Sequence, residues 1–268
     1  MANDVLTAPN PFAATTQSAA DDSLGIDRAF VVSMARIPLF GLVWVALAAV
    51  AHYAWAATGI TSIGGTEVGN LGPVFVLAFG MVLAAVIDGW AFKVPNWLTL
   101  ALVLSGWYVG ILHEFGIQVV PGYSADLTGG LGSALAGTAL GFALLFPMLF
   151  IQGMGQGDVK MQMGFGSWVG ALFGFSVGSS VILWAFCIGA IVGGIFGIVM
   201  MFARRQFGKN KENFQAIIGD LHMMVTEGPA KAAARANSRR ASWVRLPYGV
   251  PLCVGFLGYL WYRLIVVA

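Results

Sequence analysis

Charge is what this chain has least of: only 10% of its 268 residues are Asp, Glu, Lys or Arg, against roughly 25% in a soluble domain. With 58% hydrophobic residues and a mean hydropathy of +0.81, the scarcity excludes water as the main solvent. Cysteine is nearly absent too. Cys187 and Cys253 both lie in apolar stretches without CxxC spacing, which excludes a disulfide framework or a cysteine-built zinc site and leaves packing as their role. The three histidines, His52, His113 and His222, are dispersed along the chain and do not make one metal site. Ser33, Ser105, Ser133 and Ser167 lack a GxSxG setting and an evident base, which disfavours a serine peptidase. Met1 to Asp27 has neither a basic start nor an apolar run, so it does not read as a cleavable signal; residues 1–28 are expected to form a disordered cytoplasmic tail.

What is abundant is apolar length. A membrane helix needs about 20 mostly apolar residues, and such runs occur at Ile37 to Ala57, Gly72 to Ile87, Trp97 to Leu112, Leu131 to Ile151, Met161 to Ala203 and Gly249 to Val267. The fifth is too long for one crossing. Gly174, Gly178, Ser179 and Ser180 offer a turn within it, which makes seven spans. None alternates like a barrel strand, and lipid leaves an open sheet edge without partners. The expected fold is therefore an all-α, polytopic transmembrane helix bundle, whose 36 glycines let helix backbones approach closely.

Lys and Arg then orient the bundle. Arg28, Arg36, Lys93, Lys160 and the nine cations from Arg204 to Arg245 fall on one side of seven alternating spans, while the opposite loops carry Glu67, Glu114 and Asp126. Arg263 is the one exception. The expectation is a cytoplasmic N-terminus and an external C-terminus. Within the basic loop 204–247, Phe214, Ile217, Ile218, Leu221, Met224 and Val225 recur at helical spacing, which suits either a helix on the membrane surface or a solvated linker. Attraction to anionic lipid accounts for its basicity; no nucleic acid partner is implied.

Asp88 and Asp158 are the acidic residues at the cytoplasmic ends of apolar spans. Either alone could mark the interface, but both arrive at similar depth and can converge. Two neighbouring carboxylates do not both ionise easily, so one keeps a proton while the other acts as base, the chemistry for activating water against a peptide bond. Gly155 and Gly157 would supply backbone conformations closed to other residues and close approach. Pro95 stops a helix continuing past Asp88, and Asn96 can cap the next span. Lys93 and Lys160 either tune the carboxylates or, with more weight, bind lipid phosphate.

Three stretches carry a family resemblance: Asp88 with Lys93-Val94-Pro95-Asn96-Trp97-Leu98-Thr99, Gly155-Gln156-Gly157-Asp158-Val159-Lys160, and Leu246-Pro247-Tyr248-Gly249-Val250-Pro251. Together the chain from Gly72 onward resembles the prepilin peptidases, or type IV leader peptidases, which are GxGD-type aspartic proteases. The resemblance implies that Asp88 and Asp158 are the catalytic pair, with Gly155, Gly157, Lys160, Lys93, Pro95 and Asn96 as supporting motif. It also implies a prepilin or pseudopilin substrate whose basic leader is removed at the cytoplasmic face of the bacterial inner membrane. No metal or organic cofactor is implied. The chain lacks the cysteine-bearing insert of the bifunctional members, so it is similar to the short branch serving Flp-type pili, without methyl transfer. Residues 29–71, with the extra N-terminal span and an external loop, lie outside the family pattern, which covers the membrane domain 72–268. Pilus or secretion assembly proteins are further expected partners. The competing reading is a proton-coupled transporter or a secretion-complex membrane subunit.

Overall fold

The computed structural model describes residues 28–63, 65–91, 93–117, 129–150, 154–204, 207–228, 231–232, 234–235 and 248–265. The expected tail, the loop holding Asp126, and Leu246 and Pro247 lie outside the described residues. Contacts separate Met1–Arg36 from a compact unit, Ile37–Ala268, which holds both aspartates.

The elements are α1 (Arg28–Thr58), a two-residue ladder of β1 (Ser62–Ile63) and β2 (Thr66–Glu67), α2 (Gly72–Ala91), α3 (Asn96–Glu114), α4 (Leu131–Phe150), α5 (Gln156–Arg204), α6 (Phe207–Thr226) and α7 (Gly249–Ile265). The small antiparallel ladder sits in the loop between the first two apolar helices and is, among the described residues, the one departure from all-α character. Among the described residues, five helices are long and apolar enough to cross a membrane, and α7 is a shorter apolar helix. The apolar stretch of α5, 45 residues, would run about 68 Å as one rod, more than twice the hydrocarbon thickness. It does not run straight.

Gly174 has φ 71 and ψ 165 inside α5, backbone that is almost exclusive to glycine. A Cβ built on Gly178 would lie 3.2 Å from the Val169 carbonyl oxygen, although a straight helix would separate those residues by about 13 Å. The arm after the break therefore folds back on the arm before it. With both arms and α7 counted, the described residues hold seven apolar helical stretches, which correspond to the seven runs read from the sequence.

The first arm of α5, 156–173, is the hub of the compact unit, with α3, α4 and α7 packed against it. Its contacts with α4 are made backbone to backbone: Gly137 faces Gly166, Gly170 faces Ser133, and Gly141 lies against the backbone of Gln162. Lipid offers no hydrophobic drive for helix association, so close dispersion contact of this kind holds the seam. On the α3 side, Gly106 lies against Ser167. There Trp168 Nε1 donates to Ser105 Oγ at 2.8 Å and to the Leu102 carbonyl at 3.1 Å. On the α7 side Phe165 stacks on Phe256, with ring centroids 4.3 Å apart. The returning arm meets α7 where Gly189 lies against Leu252 and Gly193 against the Tyr248 ring. In α1, Trp44, Val45 and Ala48 are buried, and Phe40 packs on Trp97 at the start of α3, 5.8 Å between centroids.

These contacts put the end of α2, the starts of α3, α5 and α7, and the return of α5 toward the basic 204–247 segment at one end of the bundle. Lys93 and Lys160 share that end, while Glu114 and the β ladder belong to the other. The helical spacing read in the 204–247 loop is realised as α6, whose buried Asp220 meets Arg235 at 3.6 Å.

If Gly174 is held at a conformation other residues resist, Gly174→Ala should destabilise the bundle by about 1–3 kcal/mol. A lowered unfolding midpoint in detergent, with Gly194→Ala as an uncrowded control, is the expected measurement.

Candidate functional site

Asp88 lies one turn before the end of α2, and Asp158 lies in the first turn of α5. The second placement corrects the sequence reading, in which Asp158 trails α4 and the next span starts at Met161. The helix begins earlier because a carboxylate in a first turn is favoured by the partial positive charge of the helix N-terminus. Asp158 Oδ2 also accepts the Gly155 N–H at 3.2 Å, the backward half of a capping box.

Asp88 is held in a parallel way by a different helix. Its Oδ2 accepts the N–H of Gly249, the first residue of α7, at 2.9 Å. Both side chains are buried, 6% and 4% exposed, and they lie within electrostatic reach of each other. The convergence expected from depth alone is therefore present, and three helix termini build it. Asp158 Oδ1 is buried without a hydrogen-bond partner.

The supporting residues divide by what they touch. Val94 is buried, and a Cβ on Gly157 would lie 3.3 Å from Val94 Cβ and Cγ2, so Gly157 lets the α2–α3 connection press against the start of α5. Neither Gly155 nor Gly157 is among the glycines with positive φ. Gly157 serves close approach and not an unusual backbone, while a Cβ on Gly155 would most closely meet Asp158 Oδ2 of its own turn, at 3.3 Å, which corrects that expectation.

Lys160 Nζ donates to Asn96 Oδ1 at 2.8 Å, tying α5 to α3; the half-buried ammonium is spent on a protein partner where lipid phosphate was expected. Asn96 in turn is not a cap. The helix starts at Asn96 itself, Pro95 occupies the cap position without a side-chain bond, and the Pro95 carbonyl receives the Leu98 and Thr99 N–H groups at 3.1 and 3.3 Å. Lys93 is exposed and is not drawn into this cluster.

Sequence reasoning missed three participants. Gly249 was noted only as part of an entry to the last helix, yet a Cβ there would lie 2.8 Å from Asp88 Oδ2. Tyr248, just before α7, is half-buried; burial first, then the charge of Asp158, pushes its phenol above the ordinary value, so it stays a neutral hydroxyl beside the pair. Gln162, one turn beyond Asp158, is fully buried. Tyr248 and Gly249 lie in the third family-like stretch, but nothing local shows that they meet the pair, because their partners are distant in sequence; Gln162 lies in no stretch singled out above.

Two other features stand apart from the pair. A cavity of about 320 Å³ between α2 and α7, lined by Leu71, Val74, Phe75, Leu257 and Trp261 among others, is apolar and lies toward the other end of these helices. Gly174-Phe175-Ser176-Val177-Gly178 has GxSxG spacing, but it forms the break of α5 between two helices, where a nucleophile elbow needs a strand-to-helix turn.

The Gly249 contact predicts a sign reversal. Alanine is the better helix residue by about 1 kcal/mol, but crowding Asp88 should cost about 1–3 kcal/mol. Gly249→Ala is therefore expected to lower the unfolding midpoint in the native chain and to raise it when combined with Asp88→Ala, a coupling read from the double-mutant cycle.

No curated protein and no solved structure matches the chain. A family model does: residues 75–198, from the body of α2 into the returning arm of α5 and including both aspartates, match the type IV leader peptidase family. Over this segment, the chain is similar to the type IV leader peptidase family.

Proposed function

We propose that Asp88 and Asp158 are the catalytic pair of a membrane aspartic endopeptidase that removes the basic leader from prepilin or pseudopilin substrates, of the Flp type, at the cytoplasmic face of the inner membrane. The observation that carries this reading is the meeting of two buried carboxylates from different helices, each with one oxygen bound by a backbone N–H. A pair in that setting divides its roles: one carboxylate takes a proton from water, and the other, protonated, donates to the scissile carbonyl oxygen. The tetrahedral adduct then collapses as the leaving nitrogen is protonated, and the pair returns to its starting state. Fixed N–H donors keep one oxygen of each carboxylate oriented and leave the other for reaction.

A proton-coupled transporter is less well supported. Its acidic site is expected near mid-bilayer between broken helices, whereas this pair occupies helix termini and the break at Gly174 belongs to the opposite end. The absence of methyl transfer is likewise proposed, on the placement of Cys187 and Cys253 within apolar helices. Lys93 and Lys160 at the dyad end and the basic sequence 204–247 support a cytoplasmic location for that end, with α6 on the membrane surface.

Co-expression with a pilin-like substrate bearing a basic leader tests the pair. Asp88→Asn and Asp158→Asn are each expected to lower leader removal by at least about 100-fold, the scale of a lost acid–base group, with the protein still present in the membrane. Cleavage that survives either change would remove that residue from the reaction. Orientation is tested separately, in a chain with Cys187 and Cys253 replaced by Ala. Glu114→Cys should react with a membrane-impermeant thiol reagent in intact cells, and Lys93→Cys only after lysis.

A further inference from the structure

We propose that Gln162 pairs with the main chain of the substrate beside the scissile bond. This rests on the peptidase reading above and assigns a residue that the catalytic pair does not require.

Gln162 is fully buried, and neither Oε1 nor Nε2 has a hydrogen-bond partner. The other uncharged polar side chains buried among the described residues are all satisfied. Thr99 bonds to the Pro95 carbonyl, Ser105 to that of Leu102, Thr138 to that of Ala134 and Ser167 to that of Gly164. An amide with both functions open is therefore an exception among these buried uncharged residues, and besides Asp158 Oδ1 the half-buried His52 and His113 each leave only one buried ring nitrogen unpartnered. Its neighbours Met161 and Met163 show that the helix carries unbranched apolar side chains at this depth, so packing alone does not call for an amide.

Position gives the open amide a use. Residues four apart share a helix face, so Gln162 lies beneath Asp158, whose Oδ1 is the other buried, unpartnered oxygen on that face. It is about 6 Å farther into the bundle along α5. A peptide bond inside a helix is shielded by neighbouring turns, so the substrate must unwind locally before water can reach the scissile carbonyl. Unwinding frees backbone N–H and C=O groups at a depth where lipid offers no partners. The substrate's apolar segment follows its leader, so the freed groups lying deeper than the pair are those just after the scissile bond. One primary amide, as donor and acceptor together, matches one peptide group.

The test uses the full chain in proteoliposomes and a synthetic peptide with a basic leader and one apolar helix. In a companion set of peptides, one backbone amide after the scissile bond is replaced by an ester, removing a single N–H. For the native chain, one ester position is expected to lower kcat/KM about tenfold, equal to about 1.4 kcal/mol. Gln162→Met is expected to lower kcat/KM for the all-amide peptide by about 10- to 100-fold, to keep an unfolding midpoint at or above that of the native chain, and to be indifferent to that same ester. A structural role would lower activity without erasing the ester effect. The proposal is overturned if no ester position affects the native chain, a result that needs no variant to fold, or if Gln162→Met cleaves at full rate or keeps the ester penalty. Failure of the native chain to cleave any such peptide, or undiminished cleavage by Asp158→Asn, would overturn the peptidase reading and this proposal with it.

Discussion

A carboxylate buried at the end of an apolar helix needs a hydrogen-bond donor, and here the donors are backbone N–H groups at helix starts. Asp158 takes the N–H of Gly155 at its own helix, and Asp88 takes that of Gly249 across 161 residues of sequence. The unpaired N–H groups of a first helical turn and the partial positive charge behind them suit a buried anion. Moving either helix start would strand a carboxylate in a place where charge is expensive. The ends of α2, α5 and α7 are thereby bound into one arrangement.

That arrangement depends on glycine placed for proximity more than for flexibility. Gly157 admits Val94, Gly249 admits Asp88, and the Gly137–Gly166 and Gly141–Gln162 contacts seat α5 on α4. Where helices associate through dispersion contact, a single Cβ at such a point moves a whole helix. Gly174 is different in kind. Its left-handed φ turns α5 back, so that the returning arm reaches Tyr248 and brings α7 beside the pair. The aspartate pair at one end of the bundle therefore relies on a backbone reversal at the other.

Lys160 and Asn96 illustrate how local reading and tertiary pairing diverge. Each has a sound local role by its neighbours, lipid contact for one and helix capping for the other. Because they stand 64 residues apart, their 2.8 Å bond has no signature in either motif. The bond joins α3 to α5 next to Val94 and Gly157, so it stabilises the same corner of the bundle that holds Asp158.

Hydropathy was enough to find the apolar helices of the bundle and to put Asp88 and Asp158 at helix ends, because transfer from water to lipid is a property of composition along a segment. Even the break near Gly174 was legible, since no single helix of that length suits a bilayer. The start of α5 was not, because a carboxylate can either trail one helix or open the next, and hydropathy does not distinguish them. The contacts of Gly249 and Tyr248, and the open amide of Gln162, belong to the tertiary structure alone. What makes the first two notable is a neighbour far away in the chain, and what marks Gln162 is the lack of any partner, a property that exists only once every surrounding side chain has a position.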